Sequence, residues 1–156
     1  FQRAVFPFPD QGGSGQDDRQ HRDIVDQLHH RFEPALGQIG IVAVADNGFD
    51  RSAKVLDCAC GIGTQAIGLA LRGYQVTGSD ISDGELAEAR ERAAKNQIQL
   101  PFVHADFCAL SEVFSDPFDI VICMDNALPH MLTAEDLEKA IGSITRQMAD
   151  GGLFVA

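Results

Sequence analysis

The sequence lacks long apolar runs and is poor in basic residues. No stretch approaches the ~20 apolar residues that a membrane span needs. The first ten residues also lack a basic segment followed by an apolar one, which is the mark of a secretion signal. The 12 Lys and Arg residues are outnumbered by 23 Asp and Glu residues, which gives a formal charge of -11. Phosphate groups are bound mainly by Lys and Arg, so this acidic chain is expected to bind neither nucleic acid nor a membrane. Because it also lacks an apolar span and a secretion signal, we expect it to be soluble and cytoplasmic.

Cysteine is scarce as well, and its spacing fits neither a disulfide framework nor a metal site. The four cysteines lie mostly within apolar runs and show no paired C-x-x-C spacing; they are Cys58, Cys60, Cys108 and Cys123. We therefore predict reduced thiols that pack in the core, and no bound metal. The alternative is a metal site built on Cys58 and Cys60, which would compete with the packing of the sheet.

The rest of the composition is that of one globular domain preceded by a different amino-terminal part. Of 156 residues, 45% are hydrophobic and 22% are charged, as in ordinary globular proteins. Residues 1–16 include a Gly-Gly-Ser-Gly run and are predicted to form a flexible arm. Residues 17–52 are predicted to hold an amphipathic helix and a linker, and residues 53–156 the main domain.

Short apolar runs alternate with amphipathic segments throughout the main domain. Strands are predicted over residues 55–59, 75–79, 100–104, 118–123 and from 153, with helices over 64–72, 82–96 and after Thr133. Ser82 and Glu85 form an S-x-x-E capping box at the second helix. The last helix is predicted to bury a stripe of Leu137, Ile141, Ile144 and Met148. This alternation predicts an α/β fold: a doubly wound, Rossmann-like, mostly parallel sheet with helices on both faces.

The segment with the most chemical information is Asp-Cys-Ala-Cys-Gly-Ile-Gly-Thr, at residues 57–64, between the first strand and the first helix. Gly61 and Gly63 let a ligand approach the backbone, and the helix start behind them presents N–H groups to a carboxylate or phosphate. Asp80 follows Gly61 by 19 residues, which suits a carboxylate that binds the hydroxyls of a ribose. Both a dinucleotide and S-adenosylmethionine fit this pattern. Asp57 favours S-adenosylmethionine, because an acid there would repel a pyrophosphate but could bind an ammonium group.

These residues resemble the first motif of the class I S-adenosylmethionine-dependent methyltransferases, which is an acid, then small residues, then G-x-G. Asp57, Ala59, Gly61 and Gly63 occupy the positions of that motif. The resemblance implies S-adenosylmethionine as the cofactor and a domain that usually has seven strands. Because only five strands can be counted here, it also implies that the carboxyl-terminal strands are missing from this chain.

The resemblance continues along the chain and implies further cofactor-binding residues. Asp80 and Ile81 end the second strand, where the family binds the ribose. Asp106 and Phe107 match the motif whose Asp binds the adenine amino group while the next residue covers the ring. Met124 belongs to the fourth motif, after the fourth strand.

Within the class, residues 55–61 and 124–130 are most similar to glycine and sarcosine N-methyltransferases. In that group an Asn and a His after the fourth strand face the site, which implies catalytic roles for Asn126 and His130. The resemblance thus implies direct in-line methyl transfer to a small-molecule amine such as glycine or sarcosine. The sequence carries no signal for the oligomeric state.

Every one of these residues also has a purely structural reading. The aspartates could cap a loop, a helix or a turn, Phe107 and Met124 could be core residues, Asn126 could bind a loop backbone, and His130 could be a core or helix-entry histidine. Two other functions stay open at this point. One is a non-catalytic module that binds S-adenosylmethionine, and the other is a nicotinamide-dependent oxidoreductase, since residues 61–66 also satisfy G-x-G-x-x-A.

Overall fold

The computed structural model describes residues 48–124 and 127–156, so the predicted arm and amino-terminal helix lie outside the described residues. The strands there are β1 (Lys54–Asp57), β2 (Gln75–Asp80), β3 (Phe102–His104), β4 (Phe118–Ile122) and β5 (Met148–Val155). The α-helices are α1 (Thr64–Ala70), α2 (Asp83–Lys95) and α3 (Ala134–Arg146), and short 3-10 turns cover Leu110–Glu112 and Leu128–His130. No helix in these two ranges is both long and apolar enough to cross a membrane.

The five strands form one sheet in the order β3-β2-β1-β4-β5, and every neighbouring pair is parallel. The predicted doubly wound α/β fold is therefore confirmed. The chain winds outward from β1 in one direction through β2 and β3, and in the other through β4 and β5. Parallel sheets with such a reversal bind ligands at the carboxyl ends of the strands, beside the point of reversal.

Alternate residues of the central strands face opposite sides of the sheet, as strand geometry requires. Val55 belongs to a core cluster with residues of α1 and α2, among them Leu69 and Leu86. The next residue, Leu56, belongs to a second cluster that contains Ile144 of α3. The helices thus cover both faces, which explains why β1 is apolar without alternation.

The start of α2 follows the predicted capping box in one half only. Ser82 Oγ accepts a hydrogen bond from the Glu85 backbone N–H at 3.3 Å, as predicted. The prediction of the reciprocal bond, from the Ser82 N–H to the Glu85 carboxylate, is wrong, because the Ser82 N–H donates to Asp80 Oδ1 at 2.9 Å. Asp80 therefore takes the acceptor role that the box assigns to Glu85.

The buried stripe predicted for α3 is also only partly right. Ile144 is buried, whereas Leu137 and Ile141 are 41% and 37% exposed. The helix turns a smaller face to the sheet, with Ser143 fully buried and its Oγ accepting the Leu110 N–H at 2.9 Å. This buried polar bond to a neighbouring turn fixes the rotation of α3, and a count of apolar positions cannot foresee it.

The ring of Phe102 fills the space beside two glycines. A β-carbon built on Gly78 of β2 would lie 2.7 Å from Phe102 Cδ1, and one on Gly63 would lie 3.1 Å from Phe102 Cζ. Gly78 therefore admits no side chain while the ring stays in place, and at Gly63 a side chain would force its neighbours to shift slightly. The third strand thus packs directly against the loop that precedes α1.

Candidate functional site

The chemically interesting residues gather at the carboxyl edge of the sheet. The register pairs Asp57 of β1 with Gly78 and Ile122, and Asp80 of β2 with His104. The ends of β1, β2, β3 and β4 therefore lie side by side, and the loops that leave them share one edge. The predicted cofactor residues within these loops are brought together as the fold class implies.

The loop between β1 and α1 is shaped by its two glycines. Gly61 has φ +51° and Gly63 has φ +83°, both in the left-handed region that favours glycine. At Gly63, a β-carbon would also approach Ala89 and Ile67 to 3.2 Å. The loop is tied to β2 because the Cys60 N–H donates to the Ser79 carbonyl at 2.9 Å.

Asp80 joins the ends of β2 and the glycine loop. Its Oδ2 accepts the Gly61 N–H at 2.9 Å, across 19 residues of chain, while Oδ1 accepts the Ser82 N–H at 2.9 Å. Each oxygen keeps a further lone pair for a ligand. The carboxylate is thus oriented before any ligand arrives, which lowers the entropy that binding would cost.

Asp57 is the buried acid of this edge. Only 1% of its surface is exposed, at the end of the central strand. The charge of Asp57 affects the neighbouring Cys60. The pKa of the Cys60 thiol is raised first by burial of the thiol and then by the charges of Asp57 and Asp80. Cys60 is therefore a protonated packing residue and not a nucleophile.

The remaining predicted cofactor residues differ in exposure. Ala59 is half-buried in the loop, and Ile81 is 65% exposed although it is a large apolar residue. Asp106 is exposed, and its Oδ1 accepts the Cys108 N–H at 2.7 Å, which forms the turn that its structural reading foresees. Phe107 and Met124 are half-buried and pack against the two core clusters.

The two predicted catalytic residues are less well placed by the structure. His130 is exposed at the end of the 3-10 turn after β4, where its backbone N–H donates to the Ala127 carbonyl at 3.2 Å. Asn126 lies outside the described residues.

A comparison with known protein families decides what this edge belongs to. Residues 55–152 match the family model described as a methyltransferase domain, and this span contains β1 and the loops of the carboxyl edge. The chain belongs to the class I S-adenosylmethionine-dependent methyltransferases.

Individual methyltransferases show how far the similarity reaches. A glycine/sarcosine N-methyltransferase of Aphanothece halophytica is 29% identical over 126 residues, which cover 81% of this chain and 46% of the relative. A ubiquinone biosynthesis O-methyltransferase of Pseudomonas putida is 33% identical over 99 residues, covering 64% of this chain and 41% of that protein. The chain spans about half the length of these curated relatives.

A solved structure confirms the fold independently. A methyltransferase from Clostridium acetobutylicum superposes with a TM-score of 0.72 at 20% identity, and the match covers 87% of this chain and 55% of that one. At this identity the likeness shows that the sheet and its helices are those of the methyltransferase fold. It supports the same arrangement of strand ends around the carboxyl edge.

The edge fits the cofactor of this family. Gly61 is half-buried and carries no side chain, and two carboxylates, Asp57 and Asp80, suit a nucleoside that carries an ammonium group and a ribose. The exposed Ile81 offers an apolar surface beside Asp80. No side chain of the described residues caps the start of α1, and its first turn carries no acid.

The structure separates the two cysteines of the alternative metal site. Cys58 and Cys60 belong to different core clusters, on opposite faces of the sheet. All four cysteines are free. A hydrogen bond with Cys123, followed by burial, raises the pKa of the Cys58 thiol, so that it stays protonated. Among residues 48–124 and 127–156 no group of three or more His, Cys, Asp or Glu side chains could hold a metal ion.

Sequence reasoning missed one side chain at this edge of the methyltransferase. Glu85 was interpreted as a capping residue, yet its Oε2 lies 3.0 Å from the point where a β-carbon on Gly61 would be. Burial first, and then the charges of Asp80 and Glu88, raise the pKa of the Glu85 carboxyl. The available signal was its position five residues after Asp80, in the first turn of a helix that starts at the same edge of the sheet.

Proposed function

We propose that this chain binds S-adenosylmethionine at the carboxyl edge of β1 and β2 and transfers its methyl group to a small-molecule amine, such as glycine or sarcosine. The observation that carries the proposal is the geometry of Asp80. Its carboxylate is held between the Gly61 and Ser82 N–H groups, beside the half-buried glycine loop. Such a preoriented acceptor suits the two adjacent hydroxyls of a ribose.

In this proposal the chain's own residues bind and orient the donor. Asp80 accepts the ribose hydroxyls, and Asp57 accepts hydrogen bonds from the ammonium group, directly or through water. Gly61 and Gly63 allow close approach of the methionine part. The residues proposed to surround the adenosine and the rest of the pocket are Ala59, Ile81, Asp106, Phe107 and Met124.

The bound cofactor supplies an electrophilic methyl group on a positively charged sulfur, so the chain needs no covalent intermediate. Its contribution is positioning and the exclusion of water. His130 is proposed to take the proton of the attacking amine, directly or through water, because its exposed position at the edge of the site is open to an acceptor. Asn126 is proposed to orient the acceptor.

The choice of an amine rests on the similarity of the motifs and on a relative that is a glycine/sarcosine N-methyltransferase. The chain has 23 acidic and 12 basic residues, and this negative charge suits a cationic or neutral acceptor better than a polyanion. A relative that is an O-methyltransferase makes a hydroxyl acceptor the natural competitor.

Calorimetry with S-adenosylhomocysteine, followed by a product screen, tests the proposal. We expect S-adenosylhomocysteine to bind and NADH to give no heat. The screen compares glycine, sarcosine and a catechol, and we expect methylated amine only. Binding without any product would identify a non-catalytic module, product from the catechol alone would exclude the amine, and binding of NADH alone would identify an oxidoreductase.

The role of His130 is tested separately. His130→Ala should lower turnover by about 100-fold, the lower range for loss of a general base, while the affinity for S-adenosylhomocysteine stays the same. His104→Ala is the matched control, because His104 is also exposed but its Nδ1 pairs with Asp83 Oδ1 at 2.8 Å. Equal turnover of the two variants across the pH range would remove His130 from the chemistry.

A further inference from the structure

Glu85 does not make the side-chain hydrogen bond that the capping-box sequence predicts for it. In a complete capping box its carboxylate would accept the N–H of the N-cap residue. That N–H, of Ser82, is already bound to Asp80 at 2.9 Å. Glu85 keeps only the backbone half of the box, through its N–H to Ser82 Oγ. The described residues provide no hydrogen bond or ion pair to its carboxylate.

The Glu85 carboxylate lies beside the glycine loop. Its Oε2 and Cδ are the atoms that a β-carbon on Gly61 would meet, at 3.0 and 4.0 Å. The same glycine donates its N–H to Asp80 Oδ2 at 2.9 Å. Glu85 and Asp80 therefore meet at Gly61, although they approach it from the helix and from the strand end.

This placement is unfavourable in the absence of a ligand. Desolvation, and then the negative charge of Asp80, raise the pKa of the Glu85 carboxyl, and Glu88 on the same helix adds to the repulsion. Glu85 is an exposed residue, so water screens part of this cost. A hydrogen-bond donor between the two carboxylates would remove the conflict.

Asp80 keeps one free lone pair on each oxygen, because each oxygen already accepts one backbone N–H, from Gly61 and from Ser82. A ribose diol that donates both hydroxyls to Asp80 therefore uses all of its remaining capacity. A second carboxylate nearby gives one hydroxyl a further acceptor, and Glu85 supplies that carboxylate beside Gly61.

We propose that Glu85 is a second ribose-binding residue, which shares the diol of the bound nucleoside with Asp80 and thereby sets the pocket's preference for an unmodified ribose. The inference rests on the proposed function, because it takes the ligand to be the adenosine of S-adenosylmethionine. It extends that function by adding a residue from the first turn of α2 to the donor site. A phosphate on either hydroxyl would be repelled by two carboxylates.

Calorimetry on the full chain tests the proposal with Glu85→Gln and the control Glu88→Gln. Glutamine keeps the backbone bond to Ser82 and the length of the side chain, but removes the charge. We expect Glu85→Gln to weaken S-adenosylhomocysteine about 10-fold, as for a lost hydrogen bond to a charged group. Glu88→Gln removes the same charge one turn further along the helix and should change the affinity less than twofold.

Deoxynucleosides separate a hydroxyl contact from a general charge effect. Adenosine, 2′-deoxyadenosine and 3′-deoxyadenosine are titrated against the wild type and Glu85→Gln. The loss of affinity in Glu85→Gln should be full for adenosine and less than twofold for the analogue that lacks the hydroxyl bound by Glu85. An equal loss for all three nucleosides would overturn the proposal.

The melting temperature distinguishes binding from a structural role. If Glu85 serves the ligand, the ligand-free Glu85→Gln protein should melt at the same temperature as the wild type or higher, because a repulsion is removed. A lower melting temperature together with unchanged affinity would overturn the proposal. Failure of the wild type to bind S-adenosylhomocysteine would instead overturn the proposed function, whereas binding that is equal in wild type and variant would overturn only the role of Glu85.

Discussion

The two halves of the sheet, called here the β1–β2 side and the β4–β5 side, differ in how firmly their candidate functional residues are held in place. On the β1–β2 side, comprising β1, α1, β2 and α2, Asp80 is fixed by two backbone N–H groups and Asp57 is buried. On the β4–β5 side, comprising β4, the Leu128–His130 turn, α3 and β5, the only predicted catalytic residue within the described ranges, His130, is exposed. Apolar residues of α3 are exposed there too. We therefore expect donor binding to depend mainly on the first side and the choice of acceptor mainly on the second.

The largest expected effect contrasts a glycine from each side. Gly63 and Gly151 have similar positive φ angles, +83° and +76°, but Gly63 is packed against three side chains whereas nothing lies within 4 Å of Gly151. Gly63→Ala should lower the free energy of unfolding by about 3 kcal/mol, from strain and overpacking together. Gly151→Ala should lower it by about 1 kcal/mol, from strain alone. Chemical denaturation measures both, and equal losses would mean that packing at the glycine loop is loose.

The next effect concerns donor affinity. Asp80→Ala removes the acceptor of both backbone bonds and the proposed ribose acceptor, so S-adenosylhomocysteine should bind about 100-fold more weakly. Asp119→Ala is a control, because Asp119 Oδ2 also accepts a backbone N–H, that of Lys54 at 2.8 Å, but at the opposite end of β1. It should lower stability without changing affinity in calorimetry. His130→Ala should likewise leave donor affinity unchanged, and a comparable loss there would erase the distinction between the two sides.

A smaller effect tests what holds α3. Ser143→Ala leaves the Leu110 N–H buried without its acceptor, which should cost about 2 kcal/mol of unfolding free energy. Thr145→Val removes an exposed hydroxyl that donates to the Ile141 carbonyl at 2.8 Å, and should cost less than about 0.5 kcal/mol. Urea denaturation of the two variants measures the difference. If Ser143→Ala were as stable as the wild type, the rotation of α3 would need another cause.

The smallest effect is a pH dependence on the β1–β2 side. The pKa of Glu85 in the folded protein is raised above its ordinary value of 4.5, so its charged form is penalised by folding. The penalty is complete above the folded pKa, shrinks as the pH falls, and is lost below 4.5, where the carboxyl is protonated in both states. Glu85→Gln should therefore melt slightly higher than the wild type at pH 7, and the difference should vanish below pH 4.5. A difference that grows on acidification would show the opposite shift.

What the sequence could predict depended on how local the determining interaction is. Gly63 and Asp80 lie in short motifs whose conformation and spacing reflect a single loop and a single strand end, so their place at one edge of the sheet follows from the fold class. Glu85 and Ser82 also form a local motif, but the Ser82 N–H donates to Asp80 and not to Glu85. The position of Asp80 depends on the exact end of β2. The strand order was predictable in class, because alternation of helices and strands leaves few arrangements.

The errors on α3 have a similar origin. Leu137 and Ile141 follow the spacing of a buried stripe, but spacing specifies only that residues share a face, not which face meets the sheet. Ser143 decides the orientation through its bond to Leu110, 33 residues earlier in the chain. A contact of that kind becomes visible only when both elements are placed on the same face of the sheet.

The Phe102 ring links the third strand to the glycine motif. It stands where side chains of Gly63 and Gly78 would be, so one aromatic residue occupies volume that three positions share. Substitutions at these positions should therefore compensate one another: an alanine at 78 would be tolerated only with a smaller residue at 102. The volume of Phe102, to which no ligand contact is assigned, thus restricts the shapes that the glycine loop can adopt.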